Sequence, residues 1–270
     1  MHRRITLILS LLLLVNVFVV NEALAISIRI SEPRVELQIA KGASETIEIN
    51  ITNPTEDALE LKVYAEDWVY LDKGDGDKDF LPAGTLSDSA SGWLSFNPTN
   101  FVIEAFAEEV VFLKVSVPAD FEGEGTYKSV LFFETSLGTT ENAEGALVRV
   151  AGRIGSLVYV GLEGTVRRTA QVESIDIRPG KGAKPTVIEM DFTNTGNSVI
   201  VLDGEFIVFN QEGLVKGRGV ITKAYTQQGM TVTSVTEWPT RLSSGTYDFV
   251  FTLDLGHGES LVEERQITIA

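Results

Sequence analysis

The sequence contains no cysteine. That excludes disulfide staples, thiol nucleophiles and thiolate metal centres together. Histidine is almost as scarce: past the first residues only His257 remains, inside Gly256-His257-Gly258-Glu259. A Ser-His-Asp triad would have to be built around that one residue, and its glycine neighbours mark a hairpin tip instead. No Gly-rich phosphate loop opens a helix, and helical periodicity is nearly missing after the N-terminus. Basic residues are in deficit, with 22 Lys+Arg against 38 Asp+Glu. No Lys/Arg cluster interrupts this acidity, so nucleic acid and anionic membrane surfaces are poor partners. The expectation is a protein without enzymatic activity and without a cofactor.

Long apolar runs are limited to one. His2, Arg3 and Arg4 precede an apolar stretch from Ile5 to Val20, and Ala23-Leu24-Ala25 follows as a small-x-small cleavage pattern. This reads as a signal peptide over 1–25, with the mature chain starting near Ile26. An uncut anchor is the alternative, but the run is short for a span of about 20 residues. Cleavage removes Arg3, Arg4 and Glu22, leaving 20 basic against 37 acidic residues, a net charge of −17. No second apolar run follows, so no stable membrane insertion is expected after cleavage. Export without cysteine points to a bacterial periplasm, with the cell surface or secretion as the alternative.

What the sequence does hold is β pattern. Apolar and β-branched residues alternate, or come in short runs, between Gly, Pro, Asn and Asp turns. Strands are expected at 35–39, 46–52, 59–70, 110–117, 127–135 and 147–162. A second set is expected at 172–177, 186–193, 198–209, 214–224, 230–238, 246–255 and 260–269. About seven short strands per half is the pattern of an immunoglobulin-like sandwich. The halves echo each other. Ile47-Glu48-Ile49-Asn50-Ile51-Thr52-Asn53 returns as Ile188-Glu189-Met190-Asp191-Phe192-Thr193-Asn194. Gly125-Thr126-Tyr127 returns as Gly245-Thr246-Tyr247, each placed to open a strand with a tyrosine corner. The fold class is therefore all-β: two tandem immunoglobulin-like sandwiches, 26–164 and 165–270. The stretch from Leu71 to Gly92, rich in Gly, Asp and Ser, reads as a long loop insertion in the first.

Few residues carry chemistry. Asp72, Asp75, Asp77 and Asp79 are close enough to converge on calcium, with Asp75, Asp77 and Asp79 at alternate positions. The EF-hand pattern fails, because Phe80 stands where Gly is required and Leu86 where the closing Glu belongs. A solvated acidic loop is the simpler reading, and no metal site is expected. Asn50-Ile51-Thr52 matches a glycosylation acceptor but lies inside a strand. Trp68, Trp93 and Trp238 read as packing residues, with Trp93 able to anchor the insertion.

The strand over 147–162 is more telling. Val148, Val150, Gly152 and Ile154 share one face, and Arg149 and Arg153 share the other, with Ala151 between them. Such a strand at a sheet edge can take on an extended peptide as a further strand. Pairing inside its own sandwich is the equal alternative.

These residues resemble the periplasmic pilus (fimbrial) assembly chaperones. Glu32-Pro33-Arg34-Val35, Gly42 and Ile49-Asn50-Ile51-Thr52-Asn53 are similar to that family's opening strands. Gly152-Arg153-Ile154-Gly155-Ser156-Leu157-Val158-Tyr159-Val160 is similar to its last first-domain strand. The resemblance implies two angled immunoglobulin-like domains that hold pilus subunits by donating a strand. It implies that Arg34 and Arg153 bind the subunit's terminal carboxylate, and that Val148, Val150 and Ile154 are the donated hydrophobes, with Gly152 leaving a gap. A guanidinium suits the task, being a permanent cation with a planar donor fork. The family usually carries lysine where Arg153 stands, and the Leu71–Gly92 segment is long for it. Cell-wall proteins that interact with WxL-domain partners are also similar, though they normally end in a membrane helix. Pilin-like or other exported surface subunits are the expected partners. The alternative is a cell-envelope adhesion or scaffold protein that recognises its target through the Leu71–Gly92 loop.

Overall fold

The computed structural model describes residues 28–141, 145–180 and 184–269; the expected signal peptide over 1–25 and the expected start near Ile26 lie outside them. The first half comprises β1 (Arg29–Ile30), β2 (Arg34–Ile39), β3 (Ser44–Thr52), β4 (Leu59–Tyr70), β5 (Lys78–Pro82), β6 (Leu94–Asn97), β7 (Asn100–Ile103), β8 (Glu108–Ser116), β9 (Thr126–Glu141) and β10 (Leu147–Leu162). The second comprises β11 (Ala170–Arg178), β12 (Thr186–Asn194), β13 (Ile200–Asn210), β14 (Val215–Val220), β15 (Ala224–Thr226), β16 (Thr231–Trp238), β17 (Gly245–Gly256) and β18 (Glu259–Ile269). One 3-10 turn, Ser91–Trp93, is the only helical element among the described residues. The fold is all-β, as two sandwiches.

In the first sandwich, the sheet β1-β3-β8-β6 faces the sheet β2-β10-β9-β4-β5, with β7 also on β4. In the second, β11-β12-β16 faces β14-β13-β17-β18, with β15 also on β13. Alternation makes the first core. Val35, Leu37 and Ile39 of β2 point inward against Ile49, Ile51, Val111, Leu113 and Val115. Their neighbours Arg34, Glu36 and Gln38 point out.

Alternation breaks down at Val130-Leu131-Phe132-Phe133 of β9, where all four side chains are buried. Leu131 and Phe133 enter the first core, whereas Val130 and Phe132 lie on the sheet's outer face. There Trp68, Tyr70, Val130, Phe132 and Tyr159 form one cluster with the core of the second sandwich. A strand buried on both faces has no polar side to show, and its sequence is a continuous apolar run.

The repeated motif is a structural lock. Asn53 and Asn194, closing β3 and β12, are fully buried. The Asn53 amide donates to the carbonyls of Asp57, Ile103 and Glu104, at 2.8, 3.1 and 3.0 Å. Asn194 donates to the Ser198 carbonyl at 2.8 Å and accepts from the Gly196 N–H at 3.0 Å. The Tyr247 hydroxyl donates to the Ser243 carbonyl at 3.0 Å, closing a tyrosine corner. Tyr127 instead lies against Gly123 and packs tilted on Trp93, with 4.6 Å between ring centroids and 49° between planes.

Two expectations need correcting. The Leu71–Gly92 segment, expected as one long loop insertion, contains a strand. Lys78–Pro82 forms β5, pairing Trp68 with Phe80 and Tyr70 with Lys78. Its tight turn passes through Gly74 and Gly76, both at positive φ (70° and 90°). Farther on, Asp67 accepts from the Leu86 N–H and the Ser89 hydroxyl, at 2.9 and 2.6 Å. The single strand expected over 214–224 is two strands. β14 pairs with Glu205–Phe209 of β13, and β15 with Ile200–Leu202. Between them Thr222 turns aside to bond Ser234 and Thr236.

Candidate functional site: a half-paired strand and the cleft beside it

β10 has two neighbours along only part of its length. It pairs with β9 from Leu147 to Gly161. On its other side β2 runs parallel from Arg34, opposite Leu157, to Ile39, opposite Leu162. The Leu157 N–H donates to the Pro33 carbonyl at 3.0 Å, and the Ser156 hydroxyl donates to the Glu32 carbonyl at 2.6 Å. Among the described residues, no strand pairs with that side of Leu147–Ser156. Because backbone direction alternates, the outward groups of Arg149, Ala151, Arg153 and Gly155 share the side of the Leu157 N–H.

The N-terminal part also leaves the sandwich. β4 accompanies β9 only from Val130 to Thr135. Beyond it, Ser136–Glu141 and Leu147–Ala151 form a two-stranded ribbon, with a bulge at the Val150/Ala151 step. Leu147 is 79% exposed and Val148 42% exposed. Val150 is half-buried, and Ile154 is half-buried against the first core.

The other face of β10 looks toward the second sandwich. Arg153 lies over the Phe132 ring at 3.9 Å and over Phe80 at 5.3 Å. It donates to both carboxylate oxygens of Glu66, each at 3.1 Å, and to the Tyr64 hydroxyl at 3.2 Å. These acceptors raise its pKa, outweighing the opposing effect of burial. Gly155 is what lets this face close up: a Cβ there would lie 2.8 Å from Val130 and 3.0 Å from Phe132.

Arg34 sits on the same face, opposite Leu157 and so about 13 Å up the strand from Arg153 at the usual rise. It is ion-paired with Glu36, and its guanidinium lies 4.4 Å from the centroid of the Tyr159 ring. It stands at a small cavity between the sandwiches, with Glu36, Tyr159, Arg168 and His257 in the wall. The two predicted arginines thus share a face, and each already holds a carboxylate of its own chain.

Lys78 adds a third cation, over the Tyr70 ring at 5.0 Å, its pKa lowered by burial and then by Arg34. The His257 imidazole, at the hairpin tip between β17 and β18, lies 3.6 Å from Glu36. Nothing in the sequence marks Arg168 or Tyr159 as a site residue. Arg168 sits in a connector between strands, where spacing conveys nothing. Tyr159 looks like one more apolar strand residue.

The acidic residues do not converge. The Asp75 carboxylate accepts from the Asp77 N–H at 3.0 Å, and Asp79 from the Phe80 N–H at 3.0 Å. Among the described residues, no group of three or more His, Asp or Glu stands where it could hold a metal. The turn carrying them is docked. The Tyr225 N–H donates to the Gly74 carbonyl at 2.9 Å, and the Tyr70 and Tyr225 rings pack at a tilt, 5.6 Å between centroids.

No protein-family model and no curated protein matches the chain. Solved structures do. The class 5 fimbriae chaperone CfaA is 12% identical with a TM-score of 0.47, over 88% of this chain and 98% of that one. CsuC–CsuE of Acinetobacter baumannii, a chaperone–tip subunit complex, gives 11% identity and a TM-score of 0.44, covering 88% and 98%. A complex of the SafA pilin with the SafB chaperone from Salmonella enterica gives 13% and 0.40, covering 91% and 97%.

Proposed function

We propose that this chain is a periplasmic chaperone-like protein that captures exported pilus or surface-fibre subunits by accepting one of their strands beside Leu147–Ser156. The observation that carries the reading is the change of pairing within β10: two neighbours from Leu157 onward, one before it. A row of unpaired backbone groups is a template for a foreign strand, and affinity then comes from main-chain hydrogen bonds.

The geometry also favours one orientation. An added strand is collinear with β2 and stops where β2 begins, at Arg34. Running parallel to β10, it brings its C-terminus there; running antiparallel, its N-terminus. Arg34 and Lys78 surround that point with positive charge. A terminal carboxylate is attracted and a terminal ammonium repelled. Val148 and Val150 on the ribbon are the hydrophobes free to enter the partner, with Ile154 contributing from its partly committed position. Arg34 receives the carboxylate. Arg153 flanks the path while bound to Glu66.

The test is capture from the periplasm of the source cell by the mature chain and by Ala151→Pro. Proline at 151 removes an outward N–H and leaves the β9 ladder intact. Pilin-like or surface-fibre subunits retained by the parent chain and lost by a folded Ala151→Pro variant are expected. Undiminished capture by that variant contradicts strand addition.

A further inference from the structure

Asn53 and Asn194, the ends of the repeated motif, hold corresponding turns in the two sandwiches. The Asn53 N–H donates to the Ala107 carbonyl at 3.0 Å, and the Ala107 N–H closes the turn on the Glu104 carbonyl at 3.1 Å. In the second half the Asn194 N–H donates to the Met230 carbonyl at 3.0 Å, and the Met230 N–H to the Gln227 carbonyl at 3.0 Å. Each turn leads directly into a strand, β8 or β16. The third residue of each has positive φ, 76° at Gly229 and 58° at Phe106. A Cβ on Gly229 would meet nothing within 4 Å, so glycine serves the backbone there and not a tight fit. The first half has phenylalanine at the same place.

Phenylalanine suits that conformation badly. The left-handed region crowds the Cβ of an L-residue against its own backbone, and a bulky side chain there is a genuine outlier. Among the described residues only His257 shares it outside glycine. Packing does not offset the strain, because Phe106 is 68% exposed. Its N–H is fixed to the Thr55 carbonyl at 3.2 Å, so the turn is held from both sides. Phe112 is also exposed, but it lies within the regular strand β8, where a lone apolar side chain is ordinary. A ring held out from a strained and firmly bonded turn serves a partner, not the core.

The surroundings define that partner. Glu56, Asp57, Glu104, Glu108 and Glu109 are all exposed on this turn and the segments bonded to it. Neither 53–61 nor 97–113 contains a lysine or arginine. Such a rim repels a second copy of this acidic chain and attracts a basic surface. The turn is also remote from the open edge of β10. β7, which leads into it, stands third from β10 in the order β10-β9-β4-β7, about 14 Å away at ordinary strand spacing, and that edge faces the opposite way. We propose that Phe106 anchors a second docking surface, separate from β10, for a protein that offers an apolar pocket edged by lysine or arginine. This surface does not depend on strand addition.

Stability provides the first test. Phe106→Gly should raise the folding constant of the mature chain about threefold or more in denaturant melts, and Gly229→Ala should lower it by a similar factor. A lower folding constant in Phe106→Gly means that the ring is packed, and overturns the proposal. The second test is photo-cross-linking in an envelope extract of the source cell, using the mature chain with p-benzoylphenylalanine in place of Phe106. One adduct with a different protein is expected, its linked segment beside lysine or arginine. Added parent chain should compete the adduct away. The Phe106→Gly chain should need at least about tenfold more, and a Glu56→Gln, Glu104→Gln chain severalfold more. No adduct, an adduct with a second copy or with the strand-added subunit, or equal competition by Phe106→Gly overturns the docking surface. Ala151→Pro in the cross-linking chain should leave the adduct intact even where it abolishes strand addition. Loss of the adduct in that variant would merge the two surfaces and contradict the proposal.

Discussion

The two halves of β10 are one continuous strand in different surroundings. From Leu157 to Leu162 it is flanked on both edges, and Val158, Val160 and Leu162 are almost fully buried. From Leu147 to Ser156 one edge is open, and the valines lie on a ribbon beyond the sandwich. Both halves are rich in β-formers, so propensity does not separate them. What separates them is the length of β2, which ends its pairing at Arg34. A strand's capacity to bind a partner is thus set by its neighbour, a non-local property.

That contrast can be broken by mutation, beginning with the largest effect. Leu162→Ala, in the enclosed half, should cost about 2–5 kcal/mol in chemical denaturation, the range for a buried leucine. Leu147→Ala, in the open half, should stay within about 0.5 kcal/mol and should show itself only as weaker capture. Val158→Pro removes an N–H directed at β9 and should cost more than about 2 kcal/mol. Ala151→Pro, whose N–H points to the open side, should remain within about 1 kcal/mol of the parent. If both prolines unfold the protein equally, the two halves do not differ as described.

A second comparison, between the two sandwiches, tests the repeat. Asn53→Ala and Asn194→Ala each leave buried backbone acceptors without donors and should each lower stability by about 2 kcal/mol, read from thermal or denaturant melts. A change in only one of them would show that the motifs are alike in sequence but not in task. The smallest effect concerns Arg153. Arg153→Gln keeps much of the stem over Phe132 and loses a partly exposed ion pair, for a cost of about 1 kcal/mol or less.

Much of the fold was legible because it is local. The Leu59–Tyr70 and Leu147–Leu162 strands were read with the observed bounds, since each is a long β-prone run closed by turn residues. The strand at Lys78–Pro82 was hidden by its setting, Gly and Asp on one side and Pro82-Ala83-Gly84 on the other. It exists because Phe80 has Trp68 opposite it on β4. The site was legible in part. Arg34, Arg153, Val148, Val150 and Ile154 could be named from pattern and resemblance. That Arg153 is held by Glu66, 87 residues away in the chain, could not. Nor could the meeting of Tyr159, Arg168 and His257 at one cavity, which depends on how the sandwiches dock.

Residue-by-residue amide exchange of the mature chain, alone and with a captured subunit, tests the central claim most directly. The amides of Arg149, Ala151, Arg153 and Gly155 should exchange fast in the free chain and become protected in the complex, while Val158 and Val160 stay slow throughout. Protection of those four amides in the free chain, or no gain on binding, would contradict the account.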